Sequence, residues 1–171
     1  MELKAIIQKR RSVREFTGES ISSEKLRRVL EAARLAPSAS NRQDWKFVVV
    51  KDANKRKSLA QAANNQAFVG RAPIIIVAIA LMPERIMTCG VPSYAVDLAI
   101  AMEHIVIAAV DEGLGTCWIG AFSQENVRRI LGIPDKYKVV TVMPMGYPAR
   151  ETAAKPRKPI EEVVCYEKFT E

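Results

Sequence analysis

Histidine is almost absent from this sequence, since His104 is the single histidine among 171 residues. A multi-histidine metal site is therefore excluded, and a serine or cysteine nucleophile would have one possible histidine base. The three cysteines, Cys89, Cys117 and Cys165, are odd in number and widely spaced, so they predict neither a disulfide framework nor a CxxC metal site. Hydrolytic chemistry carried by protein side chains is disfavoured, and a reducing compartment is expected.

Long apolar segments and nucleotide-binding glycine motifs are also lacking. The longest uninterrupted apolar run, residues 74–82, is about half of the roughly 20 residues that a membrane-spanning helix needs. The N-terminal segment has no long hydrophobic core of the kind found in secretory signals. Neither G-x-G-x-x-G nor G-x-x-x-x-G-K-[ST] occurs, so a Rossmann turn and a P-loop are both unsupported. We expect a cytoplasmic protein with no membrane partner.

The composition is that of a folded globule, with 49% hydrophobic and 26% charged residues. A length of 171 residues fits one domain, which we assign to residues 1–171. The net charge of +7 attracts anions in general, so a non-enzymatic module that binds nucleic acid or another polyanion is one alternative. Only 6% of the residues are aromatic and no nucleic-acid motif occurs, so we expect no nucleic-acid partner.

Hydrophobic periodicity predicts helices that alternate with about four strands. The predicted helices cover residues 2–11, 23–36, 54–66, 92–112 and 123–132. The predicted strands cover residues 45–51, 74–80, 116–120 and 137–146, and the second strand should be central because it is apolar on both faces. After Gly146 the chain is rich in proline and charge and should be extended. This order predicts an α+β fold, an α/β sandwich with a mixed sheet.

Three polar segments are candidates for ligand binding. RRSVREF contains Arg10, Ser12 and Arg14. These residues form a solvated helix end, a nucleic-acid contact or a binding site for one specific anion. The third alternative is chemically plausible because guanidinium groups donate forked, charge-assisted hydrogen bonds to phosphate. PSASNRQDW, residues 37–45, is either an ordinary loop or a set of small side chains that hydrogen-bond a planar ligand. KPRK, residues 155–158, is a basic pocket or an exposed tail.

In their order along the chain these segments resemble the nitroreductase family of FMN-dependent oxidoreductases. RRSVREF resembles the family's R-x-S-x-R/K motif, and LEAARLAPSASNRQDWKFVVV resembles its A-P-S-x-x-N-x-Q-P-W segment with the strand that follows. GLGTCWIGAF, ILGIP, MGYP and a terminal K-x-R complete a match that spans nearly the whole chain. The resemblance implies a mainly antiparallel central sheet flanked by helices, in an intertwined homodimer that holds FMN at its interface.

The resemblance also implies roles for individual basic residues. Arg10 and Ser12 would hold the FMN phosphate, and Lys155 and Arg157 would close on it from the C-terminal tail. Arg14 would reach the pyrimidine end of the flavin, where a positive charge near N1 and O2 stabilises the anionic reduced form.

Two further segments are expected to contact the flavin. Pro37, Ser38 and Asn41 would come from the other protomer, while Ile119 and Gly120 match the point where backbone amides approach flavin N5 and the glycine leaves clearance for the ring. The implied FMN-binding residues are Arg10, Arg11, Ser12, Arg14, Pro37, Ser38, Ala39, Asn41, Asn65, Gln66, Ile119, Gly120, Lys155 and Arg157.

Some positions match the family pattern less closely or depart from it. Asn65 and Gln66 correspond less securely to a polar pair that contacts the pyrimidine edge. Asp44 stands where proline usually precedes the tryptophan, which changes the rigidity and the charge of this loop. The segment 83–94, in which longer members carry insertions over the site, is short here, so we expect an open pocket.

The resemblance implies a flavoprotein enzyme that transfers hydride in a ping-pong cycle. NADH or NADPH would reduce the flavin at N5, and a nitroaromatic, a quinone or a similar small-molecule acceptor would reoxidise it. Because the flavin carries the chemistry, no catalytic side chain and no metal are expected, and His104 and Cys117 are expected to be packed core residues. Flavin reduction or fragmentation, dehalogenation and enone reduction are alternatives on the same fold.

Overall fold

In the computed structural model, which describes residues 2–171, α-helices cover both faces of a four-stranded sheet. The helices are α1 (Leu3–Lys9), α2 (Ser23–Arg34), α3 (Ala53–Ala62), α4 (Ala67–Arg71), α5 (Ser93–Asp111) and α6 (Gln124–Leu131). The strands are β1 (Trp45–Val50), β2 (Ile74–Ala80), β3 (Gly115–Thr116) and β4 (Lys138–Gly146). Short 3-10 turns occur at Ala39–Asn41 and Ile160–Glu162.

The strand order is β1-β2-β4-β3, and each neighbouring pair is antiparallel. The strand β2 is an inner strand and all seven of its residues are buried, which confirms the prediction that it is central. A single parallel bridge, between Ser12 and Thr116, lies outside the named strands. The predicted α+β fold with a mainly antiparallel sheet is confirmed.

The alternation of side chains along β2 divides the core into two layers. Successive strand residues point to opposite faces. Ile76 packs on one face with Leu98 of α5 and with apolar residues of α2, whereas Ile75 packs on the other face with Leu59 of α3 and with residues of α6. Every residue of β2 is apolar because both faces of the strand are covered by helices.

The helix α5 is the long core helix predicted from the sequence. Gly113 follows it with a φ of +75°, the left-handed conformation that ends many helices. Within residues 2–171, α5 is the one helix long and apolar enough to cross a membrane by length and composition, with a mean hydropathy of 1.6. Its apolar sequence is not continuous, because Asp97 and Glu103 interrupt it. In the fold, Met102 and Ile105 of α5 are fully buried in the protein core.

The predicted helix boundaries depend on local hydrogen bonds that the structure contains. The Ser22 hydroxyl accepts from the Lys25 N–H at the start of α2, and the Ser123 hydroxyl accepts from the Asn126 N–H at the start of α6. Gly132 ends α6 with a φ of +66°. These caps satisfy backbone groups at the helix ends that have no partner within the helix.

Two local predictions were wrong in detail. The basic helix expected over residues 54–66 ends at Ala62, because Asn64 and Asn65 adopt left-handed conformations with φ of +55° and +57°, and a separate helix begins at Ala67. The strand expected over residues 116–120 is regular only at Gly115–Thr116 and continues as a separate bridge at Ile119.

The apolar face of α1 is also less buried than its sequence suggests. Ile6 is buried, but Leu3 and Ile7 are 61% and 56% exposed. A single protomer therefore leaves two large apolar side chains of its first helix uncovered.

Candidate functional site

The RRSVREF segment is fixed against the short strand β3. The Val13 N–H donates to the Thr116 carbonyl at 2.9 Å, and Ser12 forms the parallel bridge with Thr116. Gly115 permits this approach, because a Cβ at that position would overlap the Val13 side chain. Val13 is buried and side chains alternate along an extended segment, so Ser12 and Arg14 project to the other side.

The chain that follows β4 runs antiparallel beside the same segment. The Thr17 N–H donates to the Tyr147 carbonyl at 3.0 Å, and the Ala149 N–H donates to the Glu15 carbonyl at 3.0 Å. This pairing brings the start of the C-terminal tail against the N-terminal motif.

A cleft of about 400 Å³ lies between the N-terminal motif and the tail. Five of its lining residues are basic and none is acidic. The structure therefore brings the first and last candidate segments into one cleft, with the helix end supplying one wall and the tail the other. It is lined by Ile7, Gln8, Arg10, Arg11, Ser12, Arg14, Thr152, Ala153, Ala154, Lys155 and Arg157.

The positive charge of the cleft is not neutralised by ion pairs. Among residues 2–171, no salt bridge involves Arg10, Arg14, Lys155 or Arg157. Glu103 of α5 lies near Arg10. Burial raises the pKa of the Glu103 carboxyl group, and the positive charge of Arg10 partly opposes this rise. The cleft is thus suited to an anionic ligand.

The PSASN loop is held by side-chain acceptors rather than by regular structure. The Ala39 N–H donates to the buried carboxylate of Asp97 at 2.9 Å, and the Gln43 N–H donates to the Ser38 hydroxyl at 2.9 Å. Asn41 has a φ of +54°, which asparagine tolerates better than most residues. Pro37 and Asn41 are exposed.

A single protomer does not bring this loop to the cleft. Asp97, which anchors the loop, lies in the first turns of α5, whereas Val110 near the other end lines a depression that shares Arg11 with the cleft. None of residues 37–41 lines the cleft, and their anchor Asp97 lies near the start of α5.

The Ile119–Gly120 segment presents an exposed glycine next to the edge of the sheet. Ile119 is buried, and it exchanges two backbone hydrogen bonds with Val142 of β4, at 3.1 and 3.2 Å. A Cβ on Gly120 would meet no atom closer than the Trp118 Nε1 at 4.0 Å, and the φ of Gly120 is not left-handed. Neither packing nor backbone conformation within one protomer requires a glycine at this position.

The polar pair Asn65 and Gln66 lies on the same side of the molecule as Gly120. The Ser123 N–H donates to the Ala62 carbonyl at 2.8 Å, which joins the end of α3 to the segment that follows Gly120. The Gln66 side-chain amide donates to the Ala63 carbonyl at 2.9 Å. Asn65 is exposed.

Asp44 forms an ion pair and is only partly exposed to solvent. Its carboxylate contacts the Arg85 guanidinium at 2.7 Å, and its backbone carbonyl accepts from the Leu81 N–H at 3.0 Å. Arg85 lies near the start of the short segment 83–94, which closes as a hairpin through a bridge between Ile86 and Pro92. The departure from proline thus ties the PSASN loop to this hairpin.

His104 and Cys117 occupy packed positions. The His104 Nδ1 lies 3.0 Å from the Ala32 carbonyl, a contact between α5 and α2. Cys117 is 2% exposed, and burial raises the pKa of its thiol while Arg14 partly opposes the rise. Within residues 2–171 there is no group of three or more metal-ligating side chains close enough together to hold a metal ion.

Three residues of the site region were not anticipated from the sequence. Asp97 is a buried acid in an otherwise apolar helix, which was the available signal for a loop anchor. Thr141 is a buried hydroxyl in β4, and Trp118 is an exposed indole beside Gly120. The last two carry no sequence signal, because threonine and tryptophan are both common in strands.

The fold and the cleft define an α+β protein with a basic, carboxylate-free cleft at the edge of an antiparallel sheet. A family model described as the nitroreductase family matches residues 7–74 and 62–147. This chain therefore belongs to the nitroreductase family, and it is an oxidoreductase.

Solved structures give the same assignment. A nitroreductase family protein from Clostridium novyi is 39% identical, with 86% of each chain covered and a TM-score of 0.82. An FMN-dependent nitroreductase from Clostridium difficile is 30% identical, with 96% of this chain and 98% of that chain covered and a TM-score of 0.85. The NADPH:FMN oxidoreductase from Vibrio harveyi, solved with NAD+, is 32% identical. The match covers 99% of this chain and 78% of that chain, with a TM-score of 0.90.

Proposed function

We propose that this oxidoreductase holds FMN in the basic cleft and transfers hydride from NADH or NADPH to a small-molecule acceptor. The observation that carries the proposal is the convergence of the N-terminal motif and the C-terminal tail in one cleft with five basic residues and no acid. Two similar proteins support it: an FMN-dependent nitroreductase, and an NADPH:FMN oxidoreductase whose structure was solved with NAD+.

The residues of the cleft fit the phosphate end of FMN. A phosphate monoester is a dianion at neutral pH, and guanidinium groups bind phosphate through paired, charge-assisted hydrogen bonds. Arg10 and Ser12 supply such donors from one wall, and Lys155 and Arg157 supply them from the other. The volume of about 400 Å³ lies within the usual range of ligand pockets.

We assign Arg14 to the ring end of the ligand. It lies in the extended segment beside β3, and its charge acts on Cys117, which leads to Ile119 and Gly120. A fixed positive charge near the ring stabilises the negative charge that reduction adds. The bound flavin supplies the hydride chemistry itself, so the protein needs only to bind, orient and tune it.

A second copy of the chain is proposed to complete the site. In one protomer none of residues 37–41 lines the cleft, so a partner's loop is the one expected to reach it. Exposed apolar side chains on α1 and in the tail give such a partner a surface to cover; Tyr166 and Phe169 are 85% and 83% exposed. Pro37, Ser38, Ala39 and Asn41 would then bind FMN from the partner.

The exposed face at Gly120 is proposed to receive the two substrates in turn. NAD(P)H would bind there first and leave after giving up its hydride, and a nitroaromatic, a quinone or a similar acceptor would follow. Gly120 has no side chain to block this face, and Asn65 and Gln66 lie on the same side of the molecule.

The visible absorption spectrum of the purified protein tests the proposal. We expect a flavin band, present on purification or after addition of FMN, that bleaches under anaerobic NADH or NADPH and returns with an acceptor. A panel of nitroaromatics, quinones and enones then ranks the acceptors, and release of altered flavin would identify a flavin-fragmenting enzyme. Protein that shows no flavin band even with added FMN would overturn the assignment of the cleft.

A further inference from the structure

A buried hydroxyl group contacts the backbone at the proposed hydride-transfer position. Thr141 of β4 is fully buried, and its Oγ1 donates to the Ile119 carbonyl oxygen at 3.0 Å. The same oxygen also accepts from the Val142 N–H at 3.2 Å. A buried hydroxyl is unfavourable unless it is hydrogen-bonded, and valine would fill this strand position without that requirement. The contact with Ile119 is therefore the specific use of the Thr141 hydroxyl.

A β-bulge lies next to Thr141. Ala78 of β2 faces Thr141, but the next residue of β2, Ile79, faces Val139, so that Val140 is left without a partner. Bulges of this kind redirect side chains and are frequent beside functional sites. The bulge in β4 is thus adjacent to Thr141, the residue whose hydroxyl donates to the Ile119 carbonyl.

The two hydrogen bonds fix the direction of the next N–H group. A trans peptide is planar, so the carbonyl of Ile119 and the N–H of Gly120 point in opposite directions. Because the carbonyl is held toward β4 by Thr141 and Val142, the Gly120 N–H points away from β4. It has no acceptor in the part of the chain from residue 2 to residue 171, and Gly120 is exposed.

We infer that Thr141 is a positioning residue that aims the Gly120 N–H at N5 of the flavin. The inference rests on the proposed function, because it takes FMN to be the ligand at this face. Oxidised flavin has a lone pair on N5 that accepts a hydrogen bond, whereas reduced flavin carries a proton there. A fixed N–H therefore stabilises the oxidised form and draws electron density from N5, and loosening it raises the reduction potential and slows hydride transfer.

The first test uses the FMN-free protein. Thr141→Val removes the hydroxyl at nearly constant volume, and the matched control Thr141→Ser keeps it. We expect the Ile119 carbonyl 13C frequency and the Gly120 amide 15N frequency to move in Thr141→Val and to stay near the wild-type values in Thr141→Ser. If Thr141→Val does not fold, Thr141→Ala removes the same hydroxyl with a different change of shape.

The second test uses the FMN-loaded protein. At a fixed solution potential we expect the ratio of reduced to oxidised FMN to rise about two- to tenfold in Thr141→Val, the effect of one neutral hydrogen bond, and to remain unchanged in Thr141→Ser. An unchanged Ile119 frequency in Thr141→Val overturns the inference, and so does a moved frequency with an unchanged reduction ratio. Wild-type protein that binds no FMN overturns the proposed function itself, so the two failures are distinguishable.

Discussion

The carboxylate of Asp97 accepts a hydrogen bond from the backbone N–H of Ala39 at 2.9 Å. The contact joins the first part of α5 to the PSASN loop across 58 positions of sequence. Asp97 is 7% exposed, so the loop is anchored by one of the few charged groups inside the protein. The helix α5 therefore helps to fix the conformation of the PSASN loop, which we assign to the ligand site of a partner protomer.

Removing this anchor should weaken both the fold and ligand binding. Asp97→Ala leaves the Ala39 N–H without its acceptor, and we expect a loss of about 1–3 kcal/mol in the free energy of unfolding. Asp97→Asn keeps an acceptor oxygen and should lose less. Urea unfolding and FMN titration of both variants measure the two effects. Equal stability of the Ala and Asn variants would show that the Ala39 contact does not hold the loop.

Two arginines of the N-terminal motif should have separable effects on the flavin. Arg10→Ala removes a charge-assisted donor to the phosphate, and we expect the dissociation constant of FMN to rise about ten- to a hundredfold. Arg14→Ala should in addition lower the reduction potential, because it removes positive charge near the ring. Arg27→Ala, on the exposed side of α2, is the matched control. Unchanged FMN binding and potential in both variants would mean that the cleft is misassigned.

Two glycines at the sheet edge should respond to alanine in opposite ways. A Cβ at Gly115 would overlap Val13, so Gly115→Ala should destabilise the protein by about 1–3 kcal/mol. A Cβ at Gly120 meets open space, so Gly120→Ala should change the free energy of unfolding by less than about 1 kcal/mol. Its methyl group should nevertheless slow flavin reduction by about ten- to a hundredfold, because it displaces the reacting groups.

Thermal unfolding and anaerobic stopped-flow reduction by NAD(P)H measure these responses. A Gly120→Ala protein that is stable and reduces its flavin at the wild-type rate would remove Gly120 from the site.

An ion pair between α2 and α5 should make stability depend on acid pH. Hydrogen bonding to Arg28, at 2.9 Å from its Nη2, is the main cause that holds the pKa of Glu112 below its ordinary value of 4.5. A carboxyl group with a lowered folded-state pKa contributes stability that is present above its unfolded pKa and is lost as the pH falls through the folded value. Because Arg28 is half-exposed and solvent screens the pair, the contribution should be small.

Arg28→Ala should remove this contribution and flatten the pH dependence. Urea unfolding of the wild type and of Arg28→Ala between about pH 7 and pH 3 measures it. The two proteins should differ most near neutral pH and converge in acid, and Arg27→Ala should follow the wild type. A difference between wild type and Arg28→Ala that is constant over this range would assign the role of Arg28 to packing.

Elements whose signals are local were predicted well. The caps Ser22 and Ser123 act on N–H groups three residues away, and Gly132 needs only its own backbone conformation, so a short window of sequence contains the whole cause. The break between α3 and α4 was missed, because asparagine is compatible with both helix and left-handed conformations. The exposure of Leu3 and Ile7 was missed since periodicity identifies an apolar face but not what covers it.

The sequence by itself determined the order of the elements, the buried central strand and the presence of three polar segments in a family-specific order. Only the tertiary structure decided which of them meet. Backbone pairing of residues 12–17 with β3 and with residues 147–149 brings Arg10–Arg14 against Lys155–Arg157, while none of residues 37–41 lines that cleft. The Thr141 contact with Ile119 was equally invisible, because contacts between residues far apart in sequence depend on how strands and helices pack and not on any local pattern.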